Sequence, residues 1–146
     1  VTTSALPAAS SRRTPHIALP TTTFVSGVSE RPPELWWAHV DAADWFAYGC
    51  DLFDGGFFFE AHELWEQCWR AARAVHNDDD AAFLQGLILL AAAGVKLLAG
   101  NARSRDAHLS RAEARLRLPP RRGLTRATID SAITALRQGR SPSLWP

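Results

Sequence analysis

The chain of 146 residues has no Met, a single Lys, a single Tyr and two Cys. Cys50 and Cys68 form neither a CxxC nor a Cys/His pattern. That excludes a zinc frame and a disulfide-stapled scaffold, and points to buried free thiols in a reducing compartment. No segment alternates apolar and polar residues long enough to argue a sheet. No Gly-rich phosphate loop, Ser/His/Asp set or catalytic Cys/His context occurs, which leaves phosphate-loop nucleotide chemistry and nucleophilic hydrolysis without a foothold. Long apolar runs are missing too. The most apolar stretch, Leu87 to Val95, holds nothing charged or strongly polar, is bracketed by Gln85 and Lys96 and covers about half of the ~20 residues that cross a bilayer. A core helix is expected there rather than a transmembrane span. The missing Met implies a lost initiator, either by excision before Val1 or with a longer targeting peptide.

What is present is ordinary in amount and uneven in placement. Hydrophobic residues are 47% and charged residues 21% of the chain, and the net charge is +1, as in a globular domain. Residues 30 to 80 hold twelve Asp or Glu against three Arg, while residues 101 to 146 hold ten Arg against three acids. Near-neutrality is therefore a cancellation between an acidic first half and a basic last third. Fifteen of the sixteen basic residues are Arg, beside 25 Ala, the usage of a GC-rich gene. Arg clusters here reflect codons as well as function.

Composition divides the chain into an extended arm (1–32), a helical domain (33–139) and a tail (140–146). The arm has eleven Ser or Thr in its first 29 residues, three Pro, the pair Arg12 and Arg13, and no acid before Glu30. It cannot bury enough apolar surface to fold alone, so a partner is expected to hold it. Its Ser- and Arg-rich character also matches organellar transit segments. Beyond Pro33, helical spacing predicts one bent or two short helices over 34–53, closed by Asp54-Gly55-Gly56. Further helices follow over 57–75, over 81–99 with Asp78 to Asp80 as cap and first-turn charge, over 104–118, and from near Thr125 to Gly139. The expected fold is all-α, a single-domain bundle of about five helices behind the arm.

The second of these helices carries the candidate chemistry. His62 and Glu66 lie one turn apart at the edge of the apolar arc, with Arg73 and Trp69 beside them. An imidazole and a carboxylate at i and i+4 can reach one metal ion, although the zinc-protease pattern H-E-x-x-H is unmet because Glu66 stands at its second His. The bland alternative pairs Glu66 with Arg70 and gives His62 a hydrogen bond at the core edge. The run from Gly56 to Glu66, then Trp69-Arg70 and Phe83-Leu84-Gln85-Gly86-Leu87-Ile88, closely resembles the domain of unknown function 309 family of small helical proteins. The resemblance is strong over about 52–101, extends toward Leu136, and does not reach the arm. It implies a signature on His62, Glu66 and Trp69 and a conjectured metal site at His62 and Glu66. Family members often have Gln where Leu89 stands and His where Lys96 stands. With Gln85 these would form a polar stripe on the third helix facing His62 and Glu66. Here Lys96 is expected to replace a metal's positive charge by bonding Glu66 or Glu63 directly.

Arg103, Arg105, Arg111, Arg115, Arg117, Arg121 and Arg122 make a basic fourth helix and following loop, suited to nucleic acid, acidic lipid or an acidic protein face, or else a solvated helix face. Aromatics for stacking bases are absent there. His16, His39, His76 and His108 are scattered, and Trp36, Trp37 and Trp145 lie near the ends of the folded region. The expected function is a non-catalytic interaction module, a small subunit or assembly factor whose arm contacts protein partners, with no cofactor. The alternatives are a metal-dependent enzyme with His62 and Glu66 as ligands of a divalent ion and Glu63 as base, and an RNA-binding protein using the basic helix. A plastid is the expected location, with a bacterial cytoplasm as the alternative.

Overall fold

A computed structural model describes residues 11–25 and 27–146. A 3₁₀ turn at Ala42–Asp44 leads into α1 (Trp45–Asp54), followed by α2 (Phe58–Ala74), α3 (Asp78–Leu98), α4 (Ala102–Leu116) and α5 (Arg126–Arg137). Among the described residues there is no strand. The all-α bundle read from the sequence is the observed fold. Its boundaries differ where local chemistry decides. Residues 34–40 form turns rather than helix, since Pro32 and Pro33 precede them and Leu35 has a positive φ of 57°. The acidic run does not cap α3. Asn77 does, accepting from the Asp80 amide, and Asp78, Asp79 and Asp80 form the first turn, where carboxylates favour the helix dipole.

α3 is the central element, packed on α2 along one side and α4 along the other. Its Phe83, Leu84, Leu87, Leu90, Ala91 and Ala93 are fully buried. At 21 residues it is long and apolar enough to cross a membrane, yet half of its apolar window is buried against the fold and it begins with three aspartates. It is the core helix of the bundle. Small residues on α3 let its neighbours approach closely. A Cβ at Gly86 would lie 2.7 Å from Leu116 of α4, and one at Gly94 would run into the Phe58 ring of α2. α1 packs on α2, and α5 packs on α4 with a lighter contact to α3.

The arm, described from Ser11 onward apart from residue 26, lies on the bundle. Its residues 1–10 fall outside the described residues. Asp51 on α1 accepts hydrogen bonds from the Arg13 and Thr14 amides, both at 2.8 Å, and from the Thr14 hydroxyl at 2.5 Å. The Tyr48 hydroxyl donates to the Ala18 carbonyl, and Glu60 on α2 receives the Thr23 hydroxyl and the Phe24 amide. Polar contacts therefore hold a segment too poor in apolar residues to fold alone, and over 11–25 the holder is this chain's own α1 and α2. At the other end of the chain, Asp54 accepts from the Leu144 amide at 2.6 Å and pairs with Arg13 at 3.6 Å. Arg13 also donates to the Leu144 carbonyl and lies over the Trp145 ring.

Candidate functional site

α2 begins after Gly56, whose φ of 86° makes the turn from α1. It turns Phe58, Ala61, Leu64, Trp65, Cys68 and Ala72 into the core. The same helical spacing brings the polar residues 59 to 73 to the rim facing the arm and solvent. His62 Nε2 lies 3.1 Å from Glu66 Oε1, with the two side chains 27% and 36% exposed. The imidazole stacks on Phe59 at 5.9 Å between ring centroids, and its Nδ1 is buried without a hydrogen-bond partner. One turn further on, the Arg73 guanidinium lies over the Trp69 ring at 5.3 Å. So the structure joins His62 to Glu66 and Trp69 to Arg73.

Other expected pairings are not made. Glu66 pairs with His62 one turn earlier and makes no ion pair with Arg70 among the described residues. The hydrogen bond assigned to His62 at the core edge is also missing, since its buried nitrogen has no partner. Lys96 and Gln85 lie half-buried on α3, but among the described residues no ion pair or hydrogen bond ties them to α2. Lys96 therefore does not stand in for a metal's charge. Glu63, its other expected partner, instead accepts the Trp36 indole N–H at 2.8 Å.

The donors for a divalent ion are similarly incomplete. Among the described residues no group of three or more His, Cys, Asp or Glu is placed to hold one ion, and the two candidate donors, His62 and Glu66, face each other in a hydrogen bond. Two ligands do not make a resident site, so this arrangement does not fit a bound metal and supports no step through one.

Between α2 and the arm lies an open cleft of about 370 Å³, with Pro20, Phe24, Arg31, Pro33, Trp36 and Glu60 in its lining. Arg31 sits 5.5 Å from both the Phe24 and Phe59 ring centroids, a cation against two aromatic faces. Glu60 is nearly buried, and burial raises its pKa even though Thr23 and Phe24 hydrogen-bond to it. Its oxygens are occupied by the arm, so the acid the cleft leaves open is the exposed Glu30 at its edge.

Sequence reasoning missed the buried carboxylates. Asp51 and Asp54 on α1 hold the arm and tail. Asp80 on α3 takes Arg122 through both oxygens, at 3.0 and 2.7 Å, with Arg121 at 3.4 Å. Hydrogen bonds from Arg122 hold the Asp80 pKa below its ordinary value. Arg122 has a left-handed backbone, φ 57°, and its guanidinium lies 4.9 Å from the Phe46 ring centroid. No local signal marks Asp51, because the residues that engage it lie 37 and 38 positions away in the sequence. Cys50 and Cys68 are buried free thiols, and burial raises both pKa values, that of Cys68 to about 11, which makes them poor nucleophiles at neutral pH.

The basic cluster divides. Arg105 pairs with Asp106 and donates to the Arg137 carbonyl, and Arg121 and Arg122 serve Asp80. Arg103, Arg111, Arg115 and Arg117 are exposed and lack ion pairs among the described residues.

The fold and the site thus define a small all-helical protein whose conspicuous carboxylates are engaged within the chain. Residues 46–106, from α1 into the first turns of α4, match the family model described as Domain of unknown function (DUF309). No curated protein and no solved structure matches the chain.

Proposed function

We propose that this protein is a non-catalytic helical interaction module, a small structural subunit or assembly factor of a larger complex. The observation that carries the reading is the engagement of the three glutamates around His62. Glu60 holds Thr23 and Phe24, Glu63 holds Trp36, and Glu66 holds His62. A general acid or base needs a carboxyl within reach of a substrate proton. Here Glu60 fastens the arm to α2, Glu63 fastens Trp36 to it, and Glu66 is taken by His62 of the same helix, which together give this side a fixed shape. Val28 of the arm and Leu35 just beyond it are 79% and 58% exposed, and are the apolar contacts this region offers a protein partner.

Size fractionation of a source extract, with the protein detected by antibody, tests the reading. Migration well above the 16.0 kDa of the chain, retained after nuclease treatment, is the expected result. Migration as a free monomer would overturn it. Elemental analysis of the purified protein provides a second test: a stoichiometric transition metal that disappears in His62→Ala would replace this reading with that of a metal-dependent enzyme using Glu63 as base.

A further inference from the structure

α4 packs one side against α3 and α5 and leaves the other open. At about 100° per residue, positions 103, 107, 110, 111, 114 and 117 share that open arc, and Arg103, Ala107, Ser110, Arg111, Ala114 and Arg117 are all exposed. Arg115 flanks the arc beside Gly86 of α3. The nearby acids are already neutralised, Asp106 by Arg105 and Glu113 by Arg137. Four guanidinium groups without ion pairs among the described residues therefore line a helix of 15 residues, a rod about 22 Å long. A GC-rich gene accounts for many arginines, but not for four unpaired ones on one face with small residues between them.

We propose that this face binds the phosphodiester backbone of duplex nucleic acid without reading its sequence. Small residues between the arginines let the helix approach a backbone, and the Ser110 hydroxyl is a further donor to phosphate. No aromatic side chain stands on the arc to stack an unpaired base, which argues against single strands. Nor does it carry the large apolar or aromatic anchor that a protein partner would bury at the centre of an interface. The proposal goes beyond the interaction-module reading and stands apart from it, because no residue of this face helps to hold the arm.

The test is fluorescence anisotropy of the full chain against labelled DNA and RNA duplexes of two helical turns and mixed sequence, titrated across salt. Four phosphate contacts predict a slope of log K against log salt of about −3.6, so affinity falls about 150-fold between about 50 and 200 mM salt. Replacing Arg103, Arg111, Arg115 and Arg117 together by Gln should abolish binding, while Arg70→Gln, exposed on α2, should leave it unchanged. Should the quadruple variant fold poorly, Arg111→Gln and Arg117→Gln singly should each reduce the slope by about 0.9. Tighter binding of either duplex supports the proposal and identifies the kind of nucleic acid. It is overturned if neither duplex binds at low salt, if single strands bind more tightly, if the variants bind like the parent chain, or if polyglutamate displaces the duplex at equal charge concentration. That last outcome would point to an acidic protein. A monomer in the extract together with duplex binding would remove the subunit reading alone.

Discussion

Asp51 is nearly fully buried on α1, and its two oxygens take the Arg13 and Thr14 amides and the Thr14 hydroxyl, with the Arg12 guanidinium at 3.5 Å. A carboxylate is well suited to this position because every neighbour is a donor. In Asp51→Asn the amide NH₂ would face one of those donors, leaving buried N–H groups unmatched, so about 2–4 kcal/mol of stability is expected to be lost. The loss is local to the arm. Chemical denaturation should show a lower midpoint, and trypsin should cut after Arg12 or Arg13 faster than in the parent chain. Unchanged trypsin sensitivity would mean that the arm is held elsewhere. The half-exposed His62–Glu66 pair is a weaker contact, in the range where such pairs contribute less than about 1 kcal/mol.

The helices were legible in the sequence because their signals are local. Apolar residues recur at helical spacing, Asp54-Gly55-Gly56 and Gly100-Asn101 break the pattern, and Asn77, Asn101 and Thr125 each accept a hydrogen bond from an amide in the first turn of their helix. The acidic run that opens α3 supplies its first-turn charge as expected but not its cap, which is Asn77, because an aspartate serves equally well in either place. The adjacency of His62 and Glu66 was legible for the same reason, being fixed by one turn of helix. Contacts such as Glu63 to Trp36, Glu60 to Thr23 and Asp80 to Arg122 join residues 27 to 42 positions apart. No local period encodes those pairings. Close helix packing is half legible: the small residues Ala91-Ala92-Ala93-Gly94 of α3 suit close neighbours, but nothing in them says that Phe58 fills the space at Gly94. At that position a methyl group has nowhere to go, since it would overlap an aromatic ring that is itself buried. Gly94→Ala should therefore destabilise the fold by about 1–3 kcal/mol through overpacking, despite the better helix propensity of Ala. Thermal melts give the sign directly. A higher melting temperature would show that propensity outweighs packing here.

At the scale of the whole molecule, the arm and the C-terminal tail meet at one carboxyl. Asp54 is held by the Leu144 amide and Arg13, with the Ser143 side chain also bonded to it, yet burial pushes its pKa up to about 6. The neighbouring Asp51 pushes in the same direction, while the Leu144 amide and Arg13 pull against it. In the unfolded chain an Asp carboxyl titrates near 3.9. Between these values the folded state binds more protons than the unfolded state, so stability falls as pH rises through the window from about 4 to about 6. A difference of about 2 pKa units corresponds to about 3 kcal/mol lost across it. Glu60, also raised by burial, acts in the same sense. Asp80 acts oppositely: Arg122 lowers its pKa, so its contribution is present above the unfolded value and is lost as pH falls below about 4. The protein should therefore be most stable on the acid side of neutrality. Denaturant titrations from pH 4 to pH 7 should show stability declining in the parent chain and declining much less in Asp54→Asn, which cannot ionise. A parent curve that is flat or rises over that range, or an Asp54→Asn curve as steep as the parent's, would rule out Asp54 as the group that sets it.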